Sequence, residues 1–104
     1  MRFVVLQHSG VAEPHYDLMV ETSPGSALAT WRVSHWPPRA DEVFTALAEH
    51  RREYLDYEGA VSGDRGTVRR VAAGACRVIQ TDTGSLGICW DDGKRIVLPI
   101  FQRA

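Results

Sequence analysis

Cysteine is scarce and unpatterned in this chain. Its two cysteines, Cys76 and Cys89, stand in separate apolar runs with no CxxC arrangement. That argues against a zinc knuckle and a disulfide framework and points to buried thiols. No apolar run approaches the roughly 20 residues of a membrane-spanning helix. The N-terminus lacks the basic-then-apolar pattern of a secretory signal, so the chain is expected in the cytoplasm, off the membrane. A positive surplus is missing as well. The net charge of −1 gives no global field for nucleic acid, which leaves local patches such as Arg51-Arg52, or Arg65 with Arg69-Arg70. Internal repeats and low-complexity tracts are absent. What remains is an ordinary globular composition, 44% hydrophobic and 24% charged over 104 residues. That length suits one domain, spanning 1–104, with a single core.

The pattern of that core is mostly period two. Residues 2–8 read as a first strand and 15–21 as a second, with Ser9-Gly10 and Pro14 as turn signals between them. The Pro24-Gly25 turn leads to a third strand over 27–33, with Leu28, Thr30 and Arg32 on one face and Ala29, Trp31 and Val33 on the other. Pro37 and Pro38 interrupt any ladder over 34–39, and Trp36 is expected to cover one end of the core. Residues 41–52 predict the one α-helix, capped by Asp41, with Val43, Phe44, Leu47 and Ala48 as its apolar stripe. His50 would then sit at the helix C-terminus, where the dipole favours a cationic imidazole. A meander follows, with strands over 67–72, 75–81, 85–91 and 95–101. Its turns are Ala73-Gly74, Asp82-Thr83-Gly84 and Asp92-Gly93, and Val78, Leu86, Ile88, Trp90, Ile96, Leu98 and Ile100 supply core. The expected fold is mainly β: a small antiparallel β-barrel of seven strands with one peripheral α-helix.

Chemistry concentrates near the N-terminus. His8 ends the first strand, and His15 and Asp17 lie two apart in the second. Residues i and i+2 of a strand share a face, so an imidazole from one strand can face an imidazole and a carboxylate from its neighbour. Two nitrogens and one oxygen suit a borderline divalent cation, zinc or manganese, and leave positions open for water or substrate.

In this order the segments resemble the 3′-phosphoesterase domain found at the N-terminus of bacterial DNA ligase D, which also occurs as small stand-alone proteins. The likeness runs through Arg2-Phe3-Val4-Val5 to Gln7-His8, then His15-Tyr16-Asp17 with Glu21, then Leu28-Ala29-Thr30-Trp31-Arg32-Val33. It continues at His50, Glu53-Tyr54, Tyr57-Glu58-Gly59, Gly66-Thr67-Val68 and Gly74. The resemblance implies a compact β-barrel with a manganese-type ion on His8, His15 and Asp17, and with His50 and Tyr54 serving the phosphate. It implies a metal-dependent phosphoesterase acting on 3′-phosphate or 3′-ribonucleotide ends in DNA repair, with nucleic-acid 3′ ends and a repair ligase or polymerase as partners. Three departures stand out. Met19 occupies the place of a family arginine two residues after the metal-binding aspartate. His35 falls near a family lysine. The gap between His8 and His15 is one residue longer than usual. His35 and Arg52 are therefore candidate substrate-binding residues, and Arg32 and Arg69 are further candidates for the missing charge.

Two other readings compete with the enzyme. One is a non-catalytic, metal-containing module that binds phosphorylated nucleic-acid ends or a small phosphate ligand. The other is a structural domain whose histidines are merely satisfied polar residues.

Overall fold

The computed structural model describes residues 1–80 and 84–99. Eight strands follow in chain order: β1 Arg2–Ser9, β2 His15–Glu21, β3 Leu28–Val33, β4 Thr45–His50, β5 Gly59–Ala60, β6 Thr67–Gln80, β7 Ser85–Trp90 and β8 Arg95–Pro99. A single 3-10 turn, Arg52–Leu55, separates β4 from β5. The sheet order is β4-β3-β2-β1-β6-β7-β8, with β5 on β6. The neighbours pair antiparallel, and the fold is a mainly β sheet curled into a half-barrel. No helix among the described residues is long and apolar enough to cross a membrane.

The curl comes from β6, which serves both halves of the sheet. Its first part pairs with β1 and its last part with β7. Val5 pairs with Ala72 but Leu6 with Arg70, so Val71 is one residue too many and bends the strand. Expected as two strands with a turn at Ala73-Gly74, this segment instead runs through. Gly74 marks the place where the backbone passes the Phe3 ring, which a Cβ there would meet at 3.5 Å.

Bending β6 brings β7 and β8 beneath one face of β1–β4. Phe3, Val5, Leu18, Val20, Trp31 and Ala46 pack there against Cys76, Leu86, Ile88 and Leu98. Trp36, Val78, Trp90 and Ile96 border this core, as expected for all four. The other face is smaller: Val4, Leu6, Met19, Leu28 and Val68, covered by Leu55 of the 3-10 turn. Both faces of β1 are thus buried in its middle, which explains its unbroken run Phe3-Val4-Val5-Leu6. The expected turn at 82–84 falls largely outside the described residues, as do Thr81, Ile100 and Phe101.

The predicted helix over 41–52 is not formed. Residues 45–50 make the edge strand β4 on β3 instead. Val43, a stripe residue in the helical reading, is 75% exposed. The apolar positions 43, 44, 47 and 48 fit a helix, but β3 presents an open ladder edge whose polar groups need partners. Pairing satisfies them and still brings Ala46 into the core, so tertiary context overrides local propensity. The dipole argument for His50 falls with the helix.

Candidate metal centre

The β1–β2 hairpin builds the centre. His8 is paired directly with His15, and Leu6 with Asp17. The three polar residues therefore follow Val4, Leu6 and Met19 along one face, at the place where the apolar cover ends. One ligand atom from each of His8, His15 and Asp17 lies within 4.8 Å of the others. His15 Nε2 stands 3.4 Å from Asp17 Oδ1, and His8 Nδ1 3.8 Å from Asp17 Oδ2. The imidazole rings meet edge-on at 67°, with centroids 4.9 Å apart.

Backbone carbonyls fix which nitrogens face inward. His8 Nε2 donates to the Arg65 carbonyl, and His15 Nδ1 donates to the Glu13 carbonyl at 2.8 Å. A carbonyl only accepts, so those nitrogens carry the protons of the neutral rings. The lone pairs of His8 Nδ1 and His15 Nε2 then point toward the Asp17 carboxylate. Orientation of a ligating histidine by a backbone carbonyl at its other nitrogen is common in metal sites.

Two of the inward atoms lack a hydrogen-bond partner. His15 Nε2 and Asp17 Oδ1 are buried and make no hydrogen bond among the described residues. Leaving such atoms unpaired costs about 1–3 kcal/mol each. In the neutral tautomer a lone pair and a carboxylate oxygen face each other, and neither can donate to the other. A divalent cation answers both, and the triad can hold one.

Arg65 reaches His8 because Gly66 permits a very close approach. Gly66 has φ of +80°, and a Cβ on it would lie 2.1 Å from the Ser9 carbonyl oxygen. The loop over 61–66 is held by the Val61 N–H donating to the Gly66 carbonyl at 2.8 Å and by Arg65 Nε donating to the Ser62 carbonyl at 2.7 Å. Gly66 lies in a segment that carries the family resemblance, but nothing in the sequence marks this task for it. The Arg65 and Glu13 contacts are equally silent in the sequence, since backbone carbonyls leave no signal in side-chain identity.

The other candidates go elsewhere. His50 lies on the triad's face but at its other end: it pairs with Leu28, which pairs with Glu21. Glu21 is four residues beyond Asp17 on β2, roughly 13 Å along the strand. There His50 packs edge-on against Tyr54, centroids 5.7 Å apart, and Tyr54 against Tyr57 at 5.8 Å. His50 Nδ1 donates to the Ala48 carbonyl at 3.0 Å. The two candidate catalytic residues meet each other, not the triad.

Arg52 is held by structure. Its Nη1 donates to Glu21 Oε2 at 2.6 Å and to the Ser26 carbonyl at 2.9 Å. The other oxygen of Glu21 accepts from the Arg2 N–H at 2.6 Å. Burial pushes the Glu21 carboxyl up, but these donors outweigh it and hold the group below its ordinary value. His35 lies beyond β3, where its Nδ1 faces Glu42 Oε1 at 3.1 Å. Burial likewise opposes ionisation of Glu42, and the Arg39 N–H and His35 overcome it, so that carboxyl too is lowered. Arg69 pairs with Gln7 and therefore stands on the opposite face from His8. Met19 is 1% exposed in the smaller core. Arg32 differs from all of these: it pairs with Asp17 across β2 and β3, and its Nε is 3.9 Å from Asp17 Oδ1. No protein-family model matches the chain, and no curated protein matches its sequence.

Proposed function

We propose that this chain is a metal-dependent phosphoesterase, similar in kind to the 3′-end-processing domain of bacterial DNA ligase D. Its substrates in this reading are 3′-phosphate or 3′-ribonucleotide ends, and its ion is manganese or zinc. The observation that carries the reading is the pair of buried, unpartnered acceptors, His15 Nε2 and Asp17 Oδ1, beside His8 Nδ1. A divalent ion bound there supplies Lewis-acid stabilisation of a phosphoryl oxygen. The chain's own contribution is orientation. The Arg65 and Glu13 carbonyls hold the rings in the tautomers that present lone pairs, and Asp17 offsets part of the ion's charge. Leu6 and Met19, buried beside Asp17 on the same face, give the triad an apolar border on that side.

The placement of His50 and Tyr54 favours a second reading, a module that binds a phosphorylated end without turning it over. The two residues suited to proton transfer stand together at the far end of the face, and Met19 holds no charge beside the ion. A labelled 3′-phosphate primer–template and its 3′-ribonucleotide counterpart, each with added manganese, separate the two. Turnover that disappears in His8→Ala supports the enzyme. Tight, manganese-dependent binding of the labelled end without turnover supports the module.

A further inference from the structure

Arg32 brings a guanidinium to the triad, and its side chain makes no hydrogen bond among the described residues. Residues paired across antiparallel strands project to one face, so pairing with Asp17 puts Arg32 on the triad's face. At 3.9 Å its Nε attracts Asp17 Oδ1 without a hydrogen bond. The side chain is 48% exposed. Other arginines on this side are committed: Arg52 to Glu21 and Ser26, Arg70 Nη1 to the Leu55 carbonyl, Arg65 to Ser62. Met19 cannot contribute, because it is packed among Val4, Leu6 and Leu28.

We infer that Arg32 is the anion-gripping residue of this site and that the anion it suits is a phosphomonoester dianion, the chemistry of a terminal phosphate. The inference rests on the metal-dependent phosphoesterase reading and narrows its substrate. A divalent ion brings two positive charges, of which Asp17 answers one, and Arg32 adds another. Two positive charges are left for an incoming group. A terminal phosphate carries close to two negative charges at neutral pH, whereas an internal diester carries one. The planar guanidinium matches two phosphate oxygens at once, which an ammonium cannot do. The cation would thus come from β3, one strand over from the buried Met19.

Two opposite effects follow from one side chain. Arg32 attracts Asp17 and repels an arriving cation, so it weakens metal binding. The same charge strengthens anion binding once the ion is in place. A purely structural arginine would move neither in this way.

The test uses calorimetric titration of the full chain, with Mn²⁺ alone first and inorganic phosphate into the Mn²⁺-loaded protein second. Parent, Arg32→Ala, Arg32→Lys and, as a control on the opposite face, Arg69→Ala are compared. Arg32→Ala should bind Mn²⁺ as tightly as the parent or tighter and bind phosphate at least ten-fold more weakly. Arg32→Lys should fall between, and Arg69→Ala should match the parent in both. Equal phosphate affinity in parent and Arg32→Ala, with Mn²⁺ bound by both, overturns the role of Arg32 and leaves the triad standing. Phosphate binding by neither loaded protein also overturns it. A parent that binds no Mn²⁺ removes the metal reading and this inference with it.

Discussion

Asp17 and Glu21 share strand β2, one face and nearly the same burial, 4% and 6% exposed, but their oxygens are answered differently. Glu21 accepts from the Arg2 N–H and from Arg52, each at 2.6 Å. It ties the start of β1 and the 3-10 turn to the sheet. Asp17 has Oδ1 buried without a donor, beside a histidine nitrogen equally without one. A satisfied carboxylate is a fastener. An unsatisfied one next to oriented lone pairs can hold a cation, because the fold has left uncompensated a cost that an ion would remove.

The two carboxylates should part most widely when each is neutralised in place. Asp17→Asn should weaken Mn²⁺ binding by about 100-fold or more, a loss near 2.7 kcal/mol, when followed by calorimetry. Glu21→Gln should leave that affinity within a few-fold of the parent. Comparable losses in both variants would erase the distinction.

A second variant acts through backbone alone. Gly66→Ala places a Cβ against the Ser9 carbonyl, so the loop over 61–66 must retreat and take the Arg65 carbonyl from His8. Metal affinity should fall about 10–100-fold, the usual range for an orienting contact, while the far end of the face keeps its Glu21–Arg52 pair. Heteronuclear NMR of the Arg52 side chain together with the Mn²⁺ titration checks both halves.

For the fastener itself the readout is stability. Glu21→Gln or Arg52→Ala should each cost about 1–3 kcal/mol in urea unfolding, since Arg52 is partly exposed and solvent screens part of the pair. The acid side carries the sign. Because Glu21 is held below its ordinary 4.5, its contribution is present above that pH and fades as pH falls through the lowered folded value. The parent should lose stability more steeply than Glu21→Gln below about pH 4.5. Parallel curves would contradict the pairing.

The smallest effect concerns the thiols. Neither cysteine is in a disulfide; burial pushes the Cys76 thiol up, whereas Cys89 is partly exposed. Iodoacetamide in the native protein should label Cys89 well before Cys76.

The triad was legible in the sequence because strand parity alone puts His15 and Asp17 on one face, and the hairpin signals at Ser9-Gly10 and Pro14 bring His8 opposite. The mainly β, antiparallel fold was legible for the same reason. Arg32 was half legible: its face followed from parity with Leu28 and Thr30. Its partner followed only from register, which the turn near Ser26 sets through the contacts of that serine's Oγ with Thr22 and Ser23. The strand β4 was misread because Val43, Phe44, Leu47 and Ala48 match a helical period, and nothing local records the open edge of β3 that claims residues 45–50. The bend in β6 hid as a hairpin for a similar reason, since Gly74 marks both turns and close approaches. Arg52 looked available for substrate because its charge is visible in sequence and its partner Glu21, thirty-one positions away, is not.

The metal centre is tested at its root by the Mn²⁺ and Zn²⁺ content of the parent after dialysis against limiting metal, measured beside His8→Ala, His15→Ala and Asp17→Asn. A single ion per chain is expected in the parent, held with one-to-one stoichiometry and lost from all three variants. Metal retained equally by the three variants, or none taken up by the parent, would contradict a cation site at His8, His15 and Asp17.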